Sequence, residues 1–383
     1  MKFLKKALKF IVVILALTVA ILYVTDTDYL IKAVRTIYLK GHTTAYLEDY
    51  KEFDNQTINA SDNPQSWPNH ANYNSVEETK TLSELHKSSG TVAYVIIKND
   101  SIWFENYYDG FNEDSKSNSF SMAKSYISGL MQKAIQDGFI KSLEQPVCDF
   151  LPEFCDGKAA KMKVGDLSSM SSGTNWDEAY YSPLSITTRA YFDDDLAKVM
   201  NGLKMETDPG QSFKYASGDT QMLAMVIEKA SGKKIYDYFE ESFWKPLGAE
   251  NETLWQVDSE GHDLVKAYCC IASNAKDFAR YGRLFKDHGK WNGKQILDST
   301  FIAKSVKPRF SDGEMYGYGW WLAKFNEKEI FYMRGHLGQL VIVIPEDNLI
   351  VIRLGHGITK GIDDAHSPDF YTFIDEAYEM LEK

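Results

Sequence analysis

Asn118-Ser119-Phe120-Ser121-Met122-Ala123-Lys124-Ser125 stands between two β-rich runs and a long apolar-faced segment. Within it, Ser121 and Lys124 are three residues apart. At helical spacing such residues share a face, so the hydroxyl and the amine can meet. A serine hydroxyl becomes a nucleophile only when a base takes its proton. Lysine serves as that base when burial or neighbouring positive charge lowers its pKa toward neutrality. The N–H groups at a helix start can also stabilise an oxyanion. The tetrad alone is not specific: Ser231/Lys234, Ser242/Lys245 and Ser273/Lys276 repeat it, and Ser is in any case a favoured helix cap. Only Ser121 has a strand hairpin before it and a long helix after it.

That context extends in both directions. Upstream, Thr91–Lys98 (TVAYVIIK) and Ser101–Tyr107 (SIWFENY) are joined by the turn pair Asn99-Asp100, which predicts a hairpin. Downstream, Met122, Ile127, Leu130, Met131 and Ile135 predict a helix over about 121–138. A mostly helical, loop-rich middle follows, with a helix over 220–230 stopped by Ser231-Gly232. After Gly317 strands return as GYGWWLAKF, EIFYMRG, LVIVIPE and LIVIRLG, and 370–381 predicts a closing helix. The expected fold is α+β. An antiparallel sheet built from both chain ends is flanked by helices, a mostly helical second lobe covers about 121–300, and a cleft between them is the natural pocket.

Two later segments complete the chemistry. Phe213-Lys214-Tyr215-Ala216-Ser217-Gly218 places a phenol and a hydroxyl on a loop before a helix, and a phenol can relay a proton from Ser121 to a leaving group. Arg334-Gly335-His336-Leu337-Gly338-Gln339 ends a strand whose small residues admit a substrate, with a backbone N–H as a second oxyanion donor. Trp176, Asp177, Tyr180 and Tyr181 form a polar-aromatic loop that either rims the pocket or covers the core. Asp193-Asp194-Asp195 reads as an exposed acidic turn rather than a cation site. Of Trp320 and Trp321, strand alternation lets at most one face a given pocket.

Ser-x-x-Lys, Tyr-x-Ser-Gly and His-x-Gly in that order resemble the serine β-lactamase and penicillin-binding-protein superfamily. Within it the chain is most similar to class C β-lactamase-related esterases and 6-aminohexanoate-dimer hydrolases. Met170-Ser171-Ser172-Gly173 and Trp244-Lys245-Pro246-Leu247-Gly248 extend the likeness, which covers about 80–380. The resemblance implies that Ser121 is the acylated nucleophile, Lys124 its proton acceptor and Tyr215 the shuttle. It implies an oxyanion hole from the Ser121 and Gln339 N–H groups, with Ser217, His336 and Gly338 lining the substrate site. It also implies a β-lactamase-like fold and no cofactor. Ser217 stands where many β-lactamases have Asn, and His336 where they have the Lys of Lys-Thr-Gly. Losing that fixed positive charge favours esterase, amidase or peptidase chemistry over potent β-lactamase activity. The competing reading is a catalytically inactive relative that binds cell-wall fragments or a partner protein, although such a relative has no reason to keep Ser121, Lys124 and Tyr215 together.

At the N-terminus, Lys2, Lys5, Lys6 and Lys9 precede the uncharged run FIVVILALTVAILYV, residues 10–24. Basic residues before an apolar run read as a signal or anchor, residues 1–25, with the body facing outward. No small-residue cleavage site follows the run, which favours an uncleaved anchor over a removed signal. Residues 26–80 read as an extended lead-in and 81–383 as the hydrolase domain. Residues 1–41 hold seven Lys/Arg and two Asp/Glu, so the rest carries 35 basic and 52 acidic groups, a net −17. A body this acidic repels phosphate backbones and excludes nucleic acid as a partner. Of 383 residues 44% are hydrophobic, too many for a disordered chain. Cys148 and Cys155 can pair in an oxidising compartment. Cys269 and Cys270 read as small buried residues, and no CxxC or His/Cys cluster points to a metal. Patterns of α/β-hydrolases, zinc peptidases and P-loop enzymes are absent.

Overall fold

The computed structural model describes residues 1–359 and 366–383. Its strands, in chain order, are β1 (Asn55–Ile58), β2 (Thr91–Lys98), β3 (Ser101–Tyr107), β4 (Ser117–Asn118), β5 (Thr253–Gln256) and β6 (Ile271–Ser273). They continue with β7 (Lys290–Trp291), β8 (Lys294–Gln295), β9 (Trp321–Phe325), β10 (Lys328–Gly335), β11 (Gln339–Ile344) and β12 (Leu349–Gly355). The main sheet is antiparallel throughout, in the order β3-β2-β12-β11-β10-β9. The two chain ends meet at β2 and β12, as the strand pattern predicts. The β2–β3 turn puts Asn99 (φ 51°) and Asp100 (φ 58°) in the left-handed region, which Asn and Asp tolerate in a tight hairpin.

The apolar character of β2, β11 and β12 follows from cover on both faces. Val95, Val341, Val343, Ile350 and Ile352 point into one core, against the helix Ala275–Lys286. Gly282 lets that helix settle close, since a Cβ there would meet Val341 at 3.0 Å and Val343 at 3.1 Å. Tyr94, Ile96, Ile342 and Val351 point into a second core, against the C-terminal helix Pro368–Leu381. Tyr94 donates its phenol to the Phe373 carbonyl oxygen at 2.7 Å. Trp320 and Trp321 divide between these two cores, as alternation demands.

The second lobe is built on helix α4 (Ala123–Gln136), preceded in the chain by α1 (Lys2–Val24), α2 (Tyr29–Thr36) and α3 (Lys80–Ser89). The helix Ser217–Ser231 lies beside α4. This lobe also holds a small sheet of order β1-β5-β6-β4, into which the N-terminal segment contributes β1. The segment 26–80 is therefore not extended throughout: it contains α2, short 3₁₀ turns and a paired strand. Its stretch near Leu47 supports the segment that leads to Ser121, with the Asn118 N–H donating to the Leu47 carbonyl at 2.8 Å. α1 is apolar, with mean hydropathy 2.7, and none of its residues is buried.

Candidate active site

Four hydrogen bonds shape the approach to Ser121. Ser119 donates its N–H to the Ile271 carbonyl at 2.6 Å, and its hydroxyl accepts from the Ile271 N–H at 3.1 Å. The Asn118 carboxamide oxygen accepts from the Phe120 N–H at 2.8 Å, while its amide nitrogen donates to buried Asp49 at 2.9 Å. So pinned, Phe120 takes a left-handed φ of 45°. A bulky residue held there costs on the order of 1–3 kcal/mol, which the surrounding bonds must offset. A 3₁₀ turn, Phe120–Met122, then runs directly into α4. Ser121 thus projects from a fixed corner at a helix start.

The Lys124 ammonium nitrogen lies 2.8 Å from the Ser121 hydroxyl oxygen and 2.8 Å from the Tyr268 carbonyl oxygen. Lys124 is 3% exposed. Its Nζ sits over the rings of Tyr215 (5.2 Å to the centroid) and Tyr268 (5.8 Å). Burial lowers its pKa to about 8, against the opposing charge of Glu178. Tyr215 is held by aromatic packing, 5.1 Å from Trp321 and 5.9 Å from Tyr316 between centroids. Burial and then Glu178 raise its phenol above the ordinary value, while the Ser121 hydroxyl beside it acts the other way. The three groups therefore converge, with an amine close to neutrality against a protonated phenol.

His336, Gly338 and Gln339 lie in the turn and strand start that join β10 to β11, where Gly335 opposes Gln339 in the register. At Gly335 a Cβ would overlap the Ser119 carbonyl oxygen, so only glycine lets β10 come against the nucleophile segment. Leu337 (φ 62°) and Gly338 (φ 79°) close the turn. Arg353 donates to the carbonyl oxygens of both residues at 2.9 Å. The Gln339 carboxamide donates to the His336 and Gly355 carbonyls (3.0 and 2.7 Å) and accepts from the Gly355 N–H at 3.0 Å. Its side chain is thus committed to the protein, which leaves its backbone for any substrate contact. The His336 ring stacks on Tyr180 (5.3 Å), meets Phe120 edge-on (5.5 Å), and has Nε2 3.3 Å from Thr44 Oγ1. Burial and the charge of Arg334 push its pKa down to about 4, so the imidazole is neutral at pH 7.

Ser217 brings an unforeseen residue into the site. Its N–H donates to Glu178 at 2.9 Å and its hydroxyl donates to the same carboxylate. The Trp176 indole (2.7 Å) and the Tyr180 phenol (2.6 Å) donate there too. Four donors on one carboxylate make Glu178 the fixed point of the loop 176–181. The expected rim loop therefore divides: Trp176 is buried, Asp177 accepts from the Ile186 N–H at 3.2 Å, and Tyr180 and Tyr181 line the cavity. An acidic residue set among aromatics was the available signal for Glu178.

Cys269 and Cys270 are buried, but they are also joined to each other as a disulfide, which corrects their reading as simple packing residues. Cys148 and Cys155 are joined as a disulfide, the pairing their spacing left open. The acidic run is engaged in ordinary contacts: Asp193 with Arg189 at 2.9 Å, Asp194 with Lys32 at 2.5 Å, and Asp195 capping the helix Leu196–Asn201.

A cavity of about 280 Å³ opens beside Ser121. Its floor includes Ser121, Ser217, Tyr268, Cys269 and His336, and its far wall comes from α2. Such a site can hold a carbonyl compound against an activated hydroxyl, with hydrogen-bond donors at a helix start.

The sequence profile of the family described as Beta-lactamase matches residues 79–361. The chain is 22% identical to the 6-aminohexanoate-dimer hydrolase of Paenarthrobacter ureafaciens over 315 residues, 73% of this chain and 79% of that protein. Among solved structures, a proposed 6-aminohexanoate-dimer hydrolase from Bacillus anthracis shares the fold with a TM-score of 0.71. Identity there is 20%, covering 88% of this chain and 92% of that one. A D-stereospecific amidohydrolase from a Streptomyces species superposes with a TM-score of 0.59 at 16% identity, covering 77% and 97% of the two chains. Since the matched profile spans most of the chain and takes in both lobes, this protein belongs to the Beta-lactamase family and is an enzyme of its hydrolase superfamily.

Proposed function

We propose that the chain is a serine hydrolase that cleaves an ester or amide bond through a covalent acyl-enzyme on Ser121. The 2.8 Å contact between Lys124 Nζ and Ser121 Oγ, made by a lysine whose pKa burial lowers to about 8, carries this reading. Neutral Lys124 takes the Ser121 proton as Oγ bonds to the substrate carbonyl carbon. The bond to the leaving alcohol or amine then breaks, and that group receives a proton through Tyr215. Water enters by the reverse route, Oγ leaves with its proton restored, and the carboxylic acid departs. The Ser121 and Gln339 N–H groups hold the oxyanion, and Ser217, His336 and Gly338 shape the site.

We further read α1 as an anchor with the body facing outward. At 1.5 Å per residue its 23 residues reach roughly 35 Å, enough for a bilayer core of about 30 Å. Two disulfides agree with an oxidising compartment.

The test is intact mass and peptide mapping of the folded protein after exposure to a fluorophosphonate. The expected result is one adduct on Ser121, lost in Ser121→Ala together with ester hydrolysis. A folded protein that takes no adduct, or a Ser121→Ala variant that keeps full turnover, would remove this mechanism.

A further inference from the structure

The cavity beside Ser121 differs in character from the nucleophile at its floor. Leu30, Ala33, Val34 and Ile37 of α2 and the turn after it line one side. Phe120, Pro183, Tyr191 and Phe192 line the other. Among the described residues no Lys, Arg, Asp or Glu lines it, and His336 there is neutral at pH 7. A carboxylate or ammonium placed in it would be desolvated without a partner, at a cost of several kcal/mol. A hydrocarbon chain would only gain from burial.

The exposed part of the lining is largely apolar, with uncharged hydroxyls of Thr43, Thr44 and Ser182 among it. Val34 (46% exposed) and Tyr38 on one lip and Tyr181 on the other both line the cavity and reach solvent, and exposed Leu39 and Leu184 (72%) adjoin lining residues in the chain. Contiguous exposed apolar groups around a concave site mark a binding surface. The lip is held in place: Tyr29 donates to the Pro183 carbonyl at 3.0 Å across the groove, and Lys32 pairs with Asp194. Moreover, α2 begins five residues after α1 ends. The apolar helix and the apolar lip are thus neighbours in the chain.

From this lining and lip, and resting on the hydrolase reading above, we propose that the groove holds the hydrocarbon tail of a long-chain acyl ester or amide whose carbonyl reaches Ser121. The reaction is the one already written: the tail stays in the groove on the acyl-enzyme and leaves as a fatty acid.

The test uses the full chain in detergent and a series of p-nitrophenyl esters, acetyl, butyryl, octanoyl and dodecanoyl. Each added methylene is expected to raise kcat/KM by roughly fourfold until the groove is filled. Val34→Asp, at an exposed position that leaves folding intact by thermal melt, is expected to lower the dodecanoyl-to-acetyl ratio at least tenfold. A flat or falling profile in protein that labels at Ser121 and cleaves the acetyl ester would overturn the acyl-chain inference and leave the hydrolase reading standing. If Ser121 takes no label, the hydrolase reading falls, and the groove is tested alone with cis-parinaric acid on Ser121→Ala protein. Saturable fluorescence enhancement weakened at least tenfold by Val34→Asp would support the groove, and its absence would overturn it.

Discussion

At the scale of single residues, the site depends on how burial sets the charge of one amine. Lys124 is held down to about 8 by desolvation while Glu178 pulls the other way. In the proposed mechanism the base is the neutral amine, so kcat/KM for an activated ester should rise with pH through an inflection near 8 and then level off. Replacing Glu178 with Gln removes a negative charge that favours the ammonium, so the inflection should move to lower pH, and the plateau should fall as well because the amide cannot accept all four hydrogen bonds. A pH–rate profile of the two proteins checks both points, and an unmoved inflection would remove Glu178 from the electrostatics of the base. Lys124→Met should lower the acylation rate by roughly 10²–10⁴, the usual contribution of a positioned general base. Ser121 and Lys124 were legible in the sequence because i, i+3 spacing is a local rule. Glu178 was not, because its four donors gather from a loop and a helix start with no periodicity to betray them.

At the scale of elements, the β10–β11 hairpin and the strap before α4 define the site by mutual contact. Gly335→Ala would drive a methyl group into the Ser119 carbonyl. The expected cost is about 1–3 kcal/mol of stability, with slower labelling of Ser121 because the strap must shift. Thermal melts and fluorophosphonate labelling rates read the two effects, and unchanged values in both would show that the strap has room. The β2–β3 and β11–β12 strands were readable as apolar runs with turn residues between them, because each run packs two faces and turns obey local chemistry. The turn at 336–338 was less so. It is shaped by the Arg353 guanidinium from another strand, and such long-range donors leave no mark in local sequence. The Cys269–Cys270 link was missed for a similar reason, since adjacency in sequence does not say how the peptide between them is bent.

At the scale of the whole molecule, the N-terminal 41 residues matter more than a lead-in should. α2 lies on the helix Ile186–Phe192 and forms a wall of the cavity. Removing residues 1–25 should leave a folded body with an unchanged melting temperature and an active Ser121. Removing residues 1–41 should instead lower the melting temperature and expose Phe120, Tyr191 and Phe192, seen as increased binding of a hydrophobic dye. Equal behaviour of the two truncations would show that α2 is dispensable to the body. Sequence alone separated the apolar N-terminal segment from the body by charge and hydropathy, but a short amphipathic helix gives no sign of the surface it will cover.

The pairing of β2 with β12 has a further consequence. Lys98 finds its partner in Leu349 and Thr91 in Gly355, so the sheet closes only after β12 has been synthesised. Contacts of such long separation form slowly and leave an unpaired apolar edge in the interval. Ser121 and Lys124 emerge early, yet β10, which abuts them, is fixed through β11 and β12. The nascent chain therefore carries Ser121 in an unfinished setting until β12 arrives, and a product truncated before β12 should both fail to take a fluorophosphonate at Ser121 and be prone to aggregate through the open edge of β2.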